Sequence, residues 1–296
     1  MTPRGAGGAR TTGVGAASGT LVLVATPIGN LGDLSPRAVE VLAGATAVCC
    51  EDTRHSGRLL AHAGVRAARL IVVNEHTETE ACAEVLGLLA SGGDVALVTD
   101  AGTPGLSDPG ERLVAAAVAA GARVSAVPGP AAAVMALVVS GLPTRRFVFE
   151  GFLPRSGAER AERLAEISAE RRTVVVYEAP TRVERTLADL AAACGPLRRV
   201  AVARELTKRH EEIWRGTLQD AARHAAAYPP RGEHVLVLEP ARPPEPPTDA
   251  ELVDALRAEL RGGASRKDAA SRVAVRLAAP RRRVYELALR LGESAN

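Results

Sequence analysis

The sequence predicts an α/β protein with two α/β domains, a ligand cleft between them and a small helical domain at the C-terminus. Short apolar runs alternate with helix-length segments from residue 21 onward, which is typical of βαβ units. Two of the runs lead directly into loops rich in Gly, Pro and Asp, at 26–33 and 100–110. The excess of basic residues is confined to the C-terminal region, where residues 261–290 hold nine basic and two acidic side chains.

The first domain, residues 19–143, is predicted to contain a mostly parallel sheet, because an apolar run bounded by turn residues indicates a buried strand. Ser35 followed by Pro36 predicts the start of the first helix. Thr77 with Glu80 predicts a capping box for a helix that continues to about Ser91. The predicted strands are 21–25, 47–50, 69–73, 95–99 and 123–127, with further helices near 109–120 and between Pro130 and Gly141.

The alternation restarts near Pro143, so residues 144–241 predict a second α/β domain with a mixed sheet. Its predicted strands are 146–150, 173–177, 199–203, 211–215 and 234–239, and its helices are 157–170, 181–193 and 217–227. Residues 242–247 are rich in proline and predict a stiff linker. The last domain, 248–296, is predicted to hold three short helices at 249–261, 265–278 and 281–291.

Composition narrows the class of protein. Residues 1–18 are rich in Gly, Ala and Thr and predict a disordered tail rather than a signal peptide. No apolar run reaches the roughly 20 residues that a membrane helix needs. The four cysteines lack C-x-x-C spacing, so the sequence indicates neither a zinc site nor a disulfide framework. We therefore expect a cytoplasmic protein that uses no metal and does not bind a membrane.

The Gly- and Pro-rich loops are the candidate ligand site, because loops after parallel strands lie where open α/β sheets bind ligands. Neither loop has the G-x-G-x-x-G fingerprint or a phosphate-binding G-x-x-x-x-G-K pattern, which disfavours a nicotinamide cofactor. Asp100 is a candidate partner for a ligand ammonium. The alternative is that the loops are ordinary strand–helix turns and that Asp108-Pro109 only caps a helix. The candidate binding residues are Pro27, Gly29, Asn30, Asp100, Ala101, Gly102, Thr103, Pro104, Pro128, Gly129 and Pro130.

Two charged clusters follow predicted strands and are the candidate catalytic groups. They contribute Glu51, Asp52 and Arg54, and Glu205 and Lys208. Lys208 is one of only two lysines in a chain with 35 arginines, so it resisted a strong compositional bias. The alternative for each residue is a solvated ion pair.

Three other positions carry weaker signals. A lone histidine such as His76 is more often structural than catalytic. Phe147 and Phe149 alternate and are predicted to lie in a strand core, whereas Phe152 is a candidate to face the cleft.

Six segments occur in an order that resembles the tetrapyrrole methylase superfamily, and in particular its branch that acts on ribosomal RNA. They are TPIGNLGD, CCEDTRHSG, VTDAGTPGLSDPG, VPGPAAA, FEGFLPR and RELTKRHEE, and the resemblance covers about residues 20–291. It implies a class III methyltransferase fold with S-adenosylmethionine between two α/β domains. It also implies methylation of the ribose 2′-hydroxyl of a decoding-centre cytidine in 16S rRNA, a homodimer, and a helical RNA-binding domain. The candidate RNA contacts are Arg266, Lys267, Arg281, Arg282 and Arg283.

Two other functions stay open at this point. A tetrapyrrole C-methyltransferase would share the fold and cofactor. Such proteins, however, carry a G-x-G-P-G-D type of first loop where this chain has Pro27-Ile28-Gly29-Asn30. They also lack a basic helical tail. A non-catalytic RNA-binding factor of ribosome assembly would need no cofactor, so binding of S-adenosylmethionine would distinguish it.

Overall fold

The computed structural model describes residues 19–74, 77–243 and 246–293. The predicted disordered tail, His76 and part of the proline-rich linker lie outside the described residues. The chain forms two compact units, one ending at Ala241 and the other beginning at Arg242.

The first half of the larger unit is built on a five-stranded parallel sheet, as predicted. The strand order is β3-β2-β4-β1-β5, and every neighbouring pair is parallel. The strands are β1 (Thr20–Val24), β2 (Ala47–Cys50), β3 (Leu70–Val72), β4 (Val95–Leu97) and β5 (Arg123–Val127). The helices are α1 (Pro36–Gly44), α2 (Thr53–His62), α3 (Glu78–Ala90), α4 (Glu111–Ala119) and α5 (Ala132–Val139), and Leu31–Asp33 form a short 3-10 helix.

Two of the predicted helix starts have different outcomes. Ser35 caps α1 by accepting a hydrogen bond from the Ala38 N–H, with Pro36 in the first turn, as predicted. The capping box at Thr77 is wrong. The Thr77 hydroxyl donates to the carbonyl of Val72 (3.0 Å) and makes no cap bond to α3. The hydroxyl is thus engaged with the end of β3 rather than with the helix.

The second half contains a mixed sheet, also as predicted, with the order β6-β7-β10-β8-β9. Only β6 and β7 pair in parallel, and the other three pairings are antiparallel. The strands are β6 (Phe147–Phe152), β7 (Thr173–Glu178), β8 (Arg199–Arg204), β9 (Glu212–Thr217) and β10 (His234–Leu238), and the helices are α6 (Gly157–Ala169), α7 (Pro180–Cys194) and α8 (Leu218–Ala227).

The predicted core position of Phe147 is wrong, because its side chain is 41% exposed at the start of the edge strand β6. Phe149 is half-buried and contacts Tyr177 in an edge-to-face arrangement (4.8 Å between ring centroids). It therefore joins the core only in part.

Packing of α5 fixes the position of the second sheet against the first. Its buried residues Ala133, Ala136 and Leu137 belong to one apolar cluster with Val175 and Val235 of the second sheet. The opposite face of that sheet packs on the helices that follow its strands, in a separate cluster. The loop that ends β5 therefore leads directly into the junction of the two sheets.

The smaller unit is a three-helix domain, with α9 (Asp249–Arg261), α10 (Arg266–Arg276) and α11 (Arg281–Glu293). Thr248 and Glu251 form a reciprocal capping box at the start of α9. The core of this three-helix unit contains Leu256, Val273 and Val284, all fully buried. In the described part of the chain, no helix has the length and apolar character to span a membrane.

A buried carboxylate joins α3 to α4. Oε1 of Glu78 accepts hydrogen bonds from the backbone N–H groups of Gly110, Arg112 and Leu113, at 3.1–3.2 Å. These groups lie in the first turn of α4, where backbone donors have no partner within the helix and where negative charge is favoured. Glu78 therefore acts as a cap supplied from another helix, and it holds the end of the 100–110 loop.

We predict that Glu78→Ala lowers the free energy of unfolding by about 2 kcal/mol, the upper range for loss of a helix cap. Glu78→Gln keeps an oxygen acceptor and should lose less. Urea midpoints of the two variants measure the difference. Glu80→Ala, at an exposed position of the same helix, is the control. Equal midpoints for Glu78→Ala and Glu80→Ala would contradict the capping role.

Candidate active site

The two loops singled out in the sequence are joined by their backbones. The Thr26 N–H donates to the carbonyl of Gly102 (2.8 Å), and the Gly102 N–H donates back to the carbonyl of Thr26 (3.1 Å). The buried Thr26 hydroxyl also donates to the carbonyl of Thr99 (3.1 Å). Since β1 and β4 are neighbours, these bonds tie their two carboxyl-terminal loops into one wall.

A third loop, which contains Pro128, Gly129 and Pro130 and follows β5, is attached to the same wall. The Thr103 hydroxyl donates to the carbonyl of Pro130 (3.1 Å). Gly129 packs so closely on β1 that a Cβ there would lie 2.9 Å from the Cβ of Ala25. Gly102 has a φ of +89°, a conformation that favours glycine. Backbone contacts thus bring the three loops together.

A cavity of about 360 Å³ lies between this wall and the second sheet. Ala101, Gly102 and Thr103, three of the predicted binding residues, line it from the first half, and Phe152 faces it from β6. Tyr177 lies beside Phe152 in an edge-to-face contact, and its hydroxyl accepts the Ala133 N–H (3.0 Å). The remaining lining residues are Ile28, Leu106, Ser107, Asp108, Ala131, Ala132, Glu178, Ala179, Pro180, Glu233, His234 and Val235.

Two other predicted loop residues, Pro27 and Asn30, are not among the residues that line the cavity. Pro27 is buried, and the Asn30 side chain caps the 3-10 helix by accepting the Gly32 N–H (3.0 Å). Pro104, Pro128 and Pro130 belong to the tied loops but are not among the residues that line the cavity. Their direct contact with a ligand stays a prediction.

Three buried polar atoms near the loops have no hydrogen-bond partner among the described residues. They are Oδ1 of Asp100 and the hydroxyls of Thr99 and Thr207. A buried acceptor without a partner is unfavourable by about 1–3 kcal/mol. Burial also raises the pKa of Asp108, and the nearby charge of Asp100 adds to that effect. This edge of the sheet therefore offers acceptors for donors from a ligand.

Lys208 lies at the mouth of the cavity between two carboxylates. Its Nζ is 3.0 Å from Oε1 of Glu205 and 3.0 Å from Oε2 of Glu233, and Glu233 lines the cavity. The aliphatic part of Lys208 packs on the first loop, since a Cβ at Gly29 would lie 2.3 Å from Cγ of Lys208. A side chain of the second sheet thus closes onto the loop that follows β1.

The turn that carries Lys208 is held in an uncommon backbone conformation. Glu205 and Thr207 have φ values of 50° and 66°, in the left-handed region. The Thr207 N–H donates to the Glu211 carboxylate (2.7 Å), and the Glu233 N–H donates to the Glu205 carboxylate (2.9 Å). These bonds impose the turn and set the direction in which Lys208 leaves it.

The charges of the cluster keep Lys208 protonated. Burial alone would lower the pKa of Lys208, but the hydrogen bonds and charges of Glu205 and Glu233 outweigh burial and raise it above its ordinary value. The Glu233 N–H, and after it Lys208, lower the pKa of Glu205. At neutral pH Lys208 is therefore an ammonium, a cation rather than a base.

The other predicted catalytic cluster is separate from Lys208 in its contacts. Asp52 caps α2 by accepting the Arg54 N–H (2.8 Å) and also binds the Arg54 guanidinium (2.9 Å). Arg54 thereby lowers the pKa of Asp52 to about 2. Glu51 lines a second, more acidic cavity with Glu78 and Asp108. Because β4 lies between β2 and β1, this cluster occupies a different part of the same sheet edge.

Sequence reasoning missed Glu233 and the start of β10 as parts of the site. Glu233 directly precedes an apolar run, whereas the predicted catalytic residues all follow one. Because β10 runs antiparallel to β7 and β8, its beginning lies beside their ends. The signal in the sequence that could have found them was the mixed sheet predicted for the second domain.

Within the described ranges, no group of three or more His, Cys, Asp or Glu side chains could hold a metal ion.

Two α/β halves with a ligand-sized cavity at the junction of their sheets form a fold that solved methyltransferase structures share. The solved structure of the methyltransferase CobJ is similar to this chain with a TM-score of 0.58 and 22% sequence identity, covering 76% of this chain and 95% of that one. At this identity the likeness concerns the fold alone.

The sequence comparisons are more specific. Residues 20–222 match the family described as Tetrapyrrole (Corrin/Porphyrin) Methylases. The ribosomal RNA small subunit methyltransferase I of Synechocystis sp. is 46% identical over 92% of this chain and 98% of its own length. The protein of the same name from Xylella fastidiosa is 49% identical over 75% of this chain and 81% of its own length. The chain therefore belongs to the tetrapyrrole methylase family and, within it, to the ribosomal RNA small subunit methyltransferase I group.

Proposed function

We propose that this chain transfers the methyl group of S-adenosylmethionine to the ribose 2′-hydroxyl of a decoding-centre cytidine in 16S rRNA of the small ribosomal subunit. The observation that carries the proposal is the position of the Lys208 cluster beside a cavity with backbone-rich walls, linked to it through Glu233. The names of the relatives supply the substrate class. The particular nucleotide and atom rest on the motif resemblance.

The residues of the cavity suit S-adenosylmethionine. The apolar and aromatic lining, including Ile28, Phe152 and Tyr177, offers surfaces for an adenine ring. Asp100 directly precedes the lining residue Ala101, and its buried, unpartnered Oδ1 is a candidate acceptor for an ammonium or hydroxyl donor. Gly102 leaves room where a side chain would meet Ile28. When bound, S-adenosylmethionine supplies a methyl group on a positively charged sulfur, which is already a strong electrophile.

The residues at the cavity mouth supply positioning and charge. The Lys208 ammonium can approach the ribose oxygen and stabilise negative charge as the proton leaves, an effect typically worth about 10²–10³-fold for one well-placed donor. Glu233 is the more exposed of the two carboxylates on Lys208, and its position makes it the candidate to accept that proton. Asp52, Arg54 and Glu51 lie farther along the sheet edge and are better placed for an adjoining part of the substrate.

We further propose that the helical C-terminal unit binds ribosomal RNA. Lys267, Arg281 and Arg282 surround an open notch together with Tyr285. Cations beside an exposed aromatic ring suit a phosphate and a base. Arg283 pairs with Asp249 (2.7 Å) and Arg282 with Glu286 (3.1 Å), so both charges are partly committed within the unit. Arg266 is exposed at the start of α10 and is a further candidate for RNA binding.

Homodimerisation in the cytoplasm is a separate part of the proposal. Val134, Met135, Val138 and Val139 of α5 are all exposed, with Val138 at 55%. A contiguous apolar helix face of this kind is typical of a protein interface. Sedimentation velocity of the purified chain tests this point.

The cofactor site is tested by Gly102→Val. The side chain would enter the wall beside Ile28, and we expect affinity for S-adenosylmethionine to fall at least about tenfold, or about 1.4 kcal/mol. Gly105→Val is the matched control, because Gly105 also has a positive φ but a Cβ there would meet open space. Calorimetric titration measures both. Equal affinities would show that the loop assignment is wrong.

The catalytic role is tested by Lys208→Ala. Loss of the ammonium should lower single-turnover methylation of small subunits about 10²-fold with little change in cofactor affinity. Lys208→Arg should restore activity only in part, because a planar guanidinium differs from a compact ammonium. Arg209→Ala removes a neighbouring exposed charge and is the control. Wild-type rates in Lys208→Ala would move the role to the Asp52 cluster.

The RNA surface is tested by the double variant Arg281→Gln, Arg282→Gln. For every arginine that neutralises a phosphate, its removal should reduce the slope of log K against log salt by roughly one. The control is Arg272→Gln, Arg276→Gln, which removes the same charge from side chains that pair with Glu259. Binding to small subunits at several salt concentrations gives both slopes. If the two double variants behave alike, the notch has no special role.

A further inference from the structure

A further cavity, distinct from the two described above, lies on the opposite face of the second sheet from the proposed cofactor site. It measures about 270 Å³ and is bounded by β8, β9, β10 and the helices α7 and α8. Side chains alternate across a strand, so Val235 faces α5 whereas Leu236 belongs to the cluster on the other face. His234 borders both cavities. The two sites are thus separate but adjoin at the start of β10.

Three aromatic rings form one wall of this cavity. Trp214 and His224 are stacked with centroids 5.7 Å apart and 23° between their planes, and His224 lies 5.0 Å from Tyr228. Tyr228 is 68% exposed. The chain has only seven Phe, Tyr and Trp residues, and Trp214 is its one tryptophan. Trp214 packs partly on the core of the second sheet, whereas Tyr228 is not part of that cluster, so core packing does not account for the exposed position of Tyr228.

The local backbone determines where the half-buried indole of Trp214 lies. A Cβ at Gly216 would lie 2.4 Å from the Trp214 ring, so the ring lies flat along β9 over the bare backbone of Gly216. An alanine at that position would displace the ring. The space beside Trp214 therefore depends on a glycine.

The rim of the cavity is basic. Arg204 donates to the carbonyl of Arg231 (2.9 Å) and pairs with Glu212 at 3.4 Å. Within the described residues the Arg231 guanidinium has no ion pair, and it is exposed. Burial lowers the pKa of His234, so this ring is neutral at physiological pH. Two guanidinium groups against one carboxylate leave the rim with a net positive charge.

We propose that this cavity binds a nucleobase of the RNA substrate, stacked on Tyr228 and the neighbouring rings, with Arg231 on the adjoining phosphate. Aromatic planes beside arginine are the combination that holds unstacked bases of single-stranded RNA. Arg204 directly precedes Glu205, and His234 directly follows Glu233, so the pocket adjoins the Lys208 cluster through two strands. The bound base belongs to a nucleotide near the one whose ribose enters the cofactor cleft. This inference rests on the proposed function.

Trp214 provides a direct readout, since it is the chain's single tryptophan and lies in the pocket. We expect its fluorescence to change when a single-stranded RNA oligonucleotide or the small subunit is added to the full chain. Tyr228→Ala should weaken oligonucleotide binding at least about fivefold, the lower end of what one stacked base contributes. It should also raise KM for small subunits and leave S-adenosylmethionine affinity unchanged. Leu197→Ala, at an exposed apolar position in the same half, is the control.

Three results would count against one or other assignment. If wild-type protein methylates small subunits while Trp214 fluorescence stays constant and Tyr228→Ala keeps its KM, the pocket does not hold an RNA base. If cytidine or adenosine monophosphate changes the fluorescence and the oligonucleotide neither does so nor competes, the pocket serves a free nucleotide and the RNA assignment fails. If wild-type protein neither binds S-adenosylmethionine nor methylates subunits, the proposed function fails, whereas weaker oligonucleotide binding by Tyr228→Ala would still support a base in the pocket. Arg231→Gln, at a second exposed position, should reproduce that weaker binding.

Discussion

The paired hydrogen bonds between the backbones of Thr26 and Gly102 are the constraint on which the site depends. They join the loops of two neighbouring parallel strands, and the contact of Thr103 with Pro130 adds the third loop. Backbone groups used in this way need no particular side chain, but they require glycine where the chain turns or where two strands approach. The wall can therefore be rigid while remaining thin enough for the second sheet to face it across a narrow cavity.

Charge is arranged differently on the two sides of this cavity. The first half contributes mainly backbone, with the Asp108 carboxylate in the lining and an unpartnered carboxylate oxygen of Asp100 nearby, whereas the second half contributes Lys208 between Glu205 and Glu233. Two carboxylates hold one ammonium, which raises the pKa of Lys208 and keeps it charged. The cluster as a whole carries one negative charge, so a cationic methyl donor and an alcohol that must lose a proton are both compatible with it.

Much of this architecture can be predicted from the sequence, because buried strands appear as short apolar runs and Gly and Pro mark their ends. Predicted and observed strands agree within a few residues, and the parallel first sheet and mixed second sheet are confirmed. Strand direction in the second sheet is harder to read, since no local residue pattern records it, and so Glu233 escaped notice. The Thr77 capping box failed for a similar reason, because the carbonyl of Val72 competes for the same hydroxyl. The pairing of Asp52 with Arg54, two residues apart, likewise has no distinct signature in the sequence.

The left-handed turn at Glu205 and Thr207 has a consequence for the interpretation of mutational scans. Such a conformation in a non-glycine residue is unfavourable by about 1–3 kcal/mol, and it persists only while neighbouring contacts enforce it. Glu211, which accepts the Thr207 N–H, and Gly232, whose missing side chain leaves room for the Glu205 carboxylate, are both enforcers of this kind. Replacing either residue would let the turn relax toward ordinary backbone geometry. The Lys208 ammonium would then move away from its position between the two carboxylates. In an activity screen, substitutions at these positions would lower activity although neither residue belongs to the reacting centre. A map of sensitive residues would therefore include the residues that hold the turn as well as Lys208 itself.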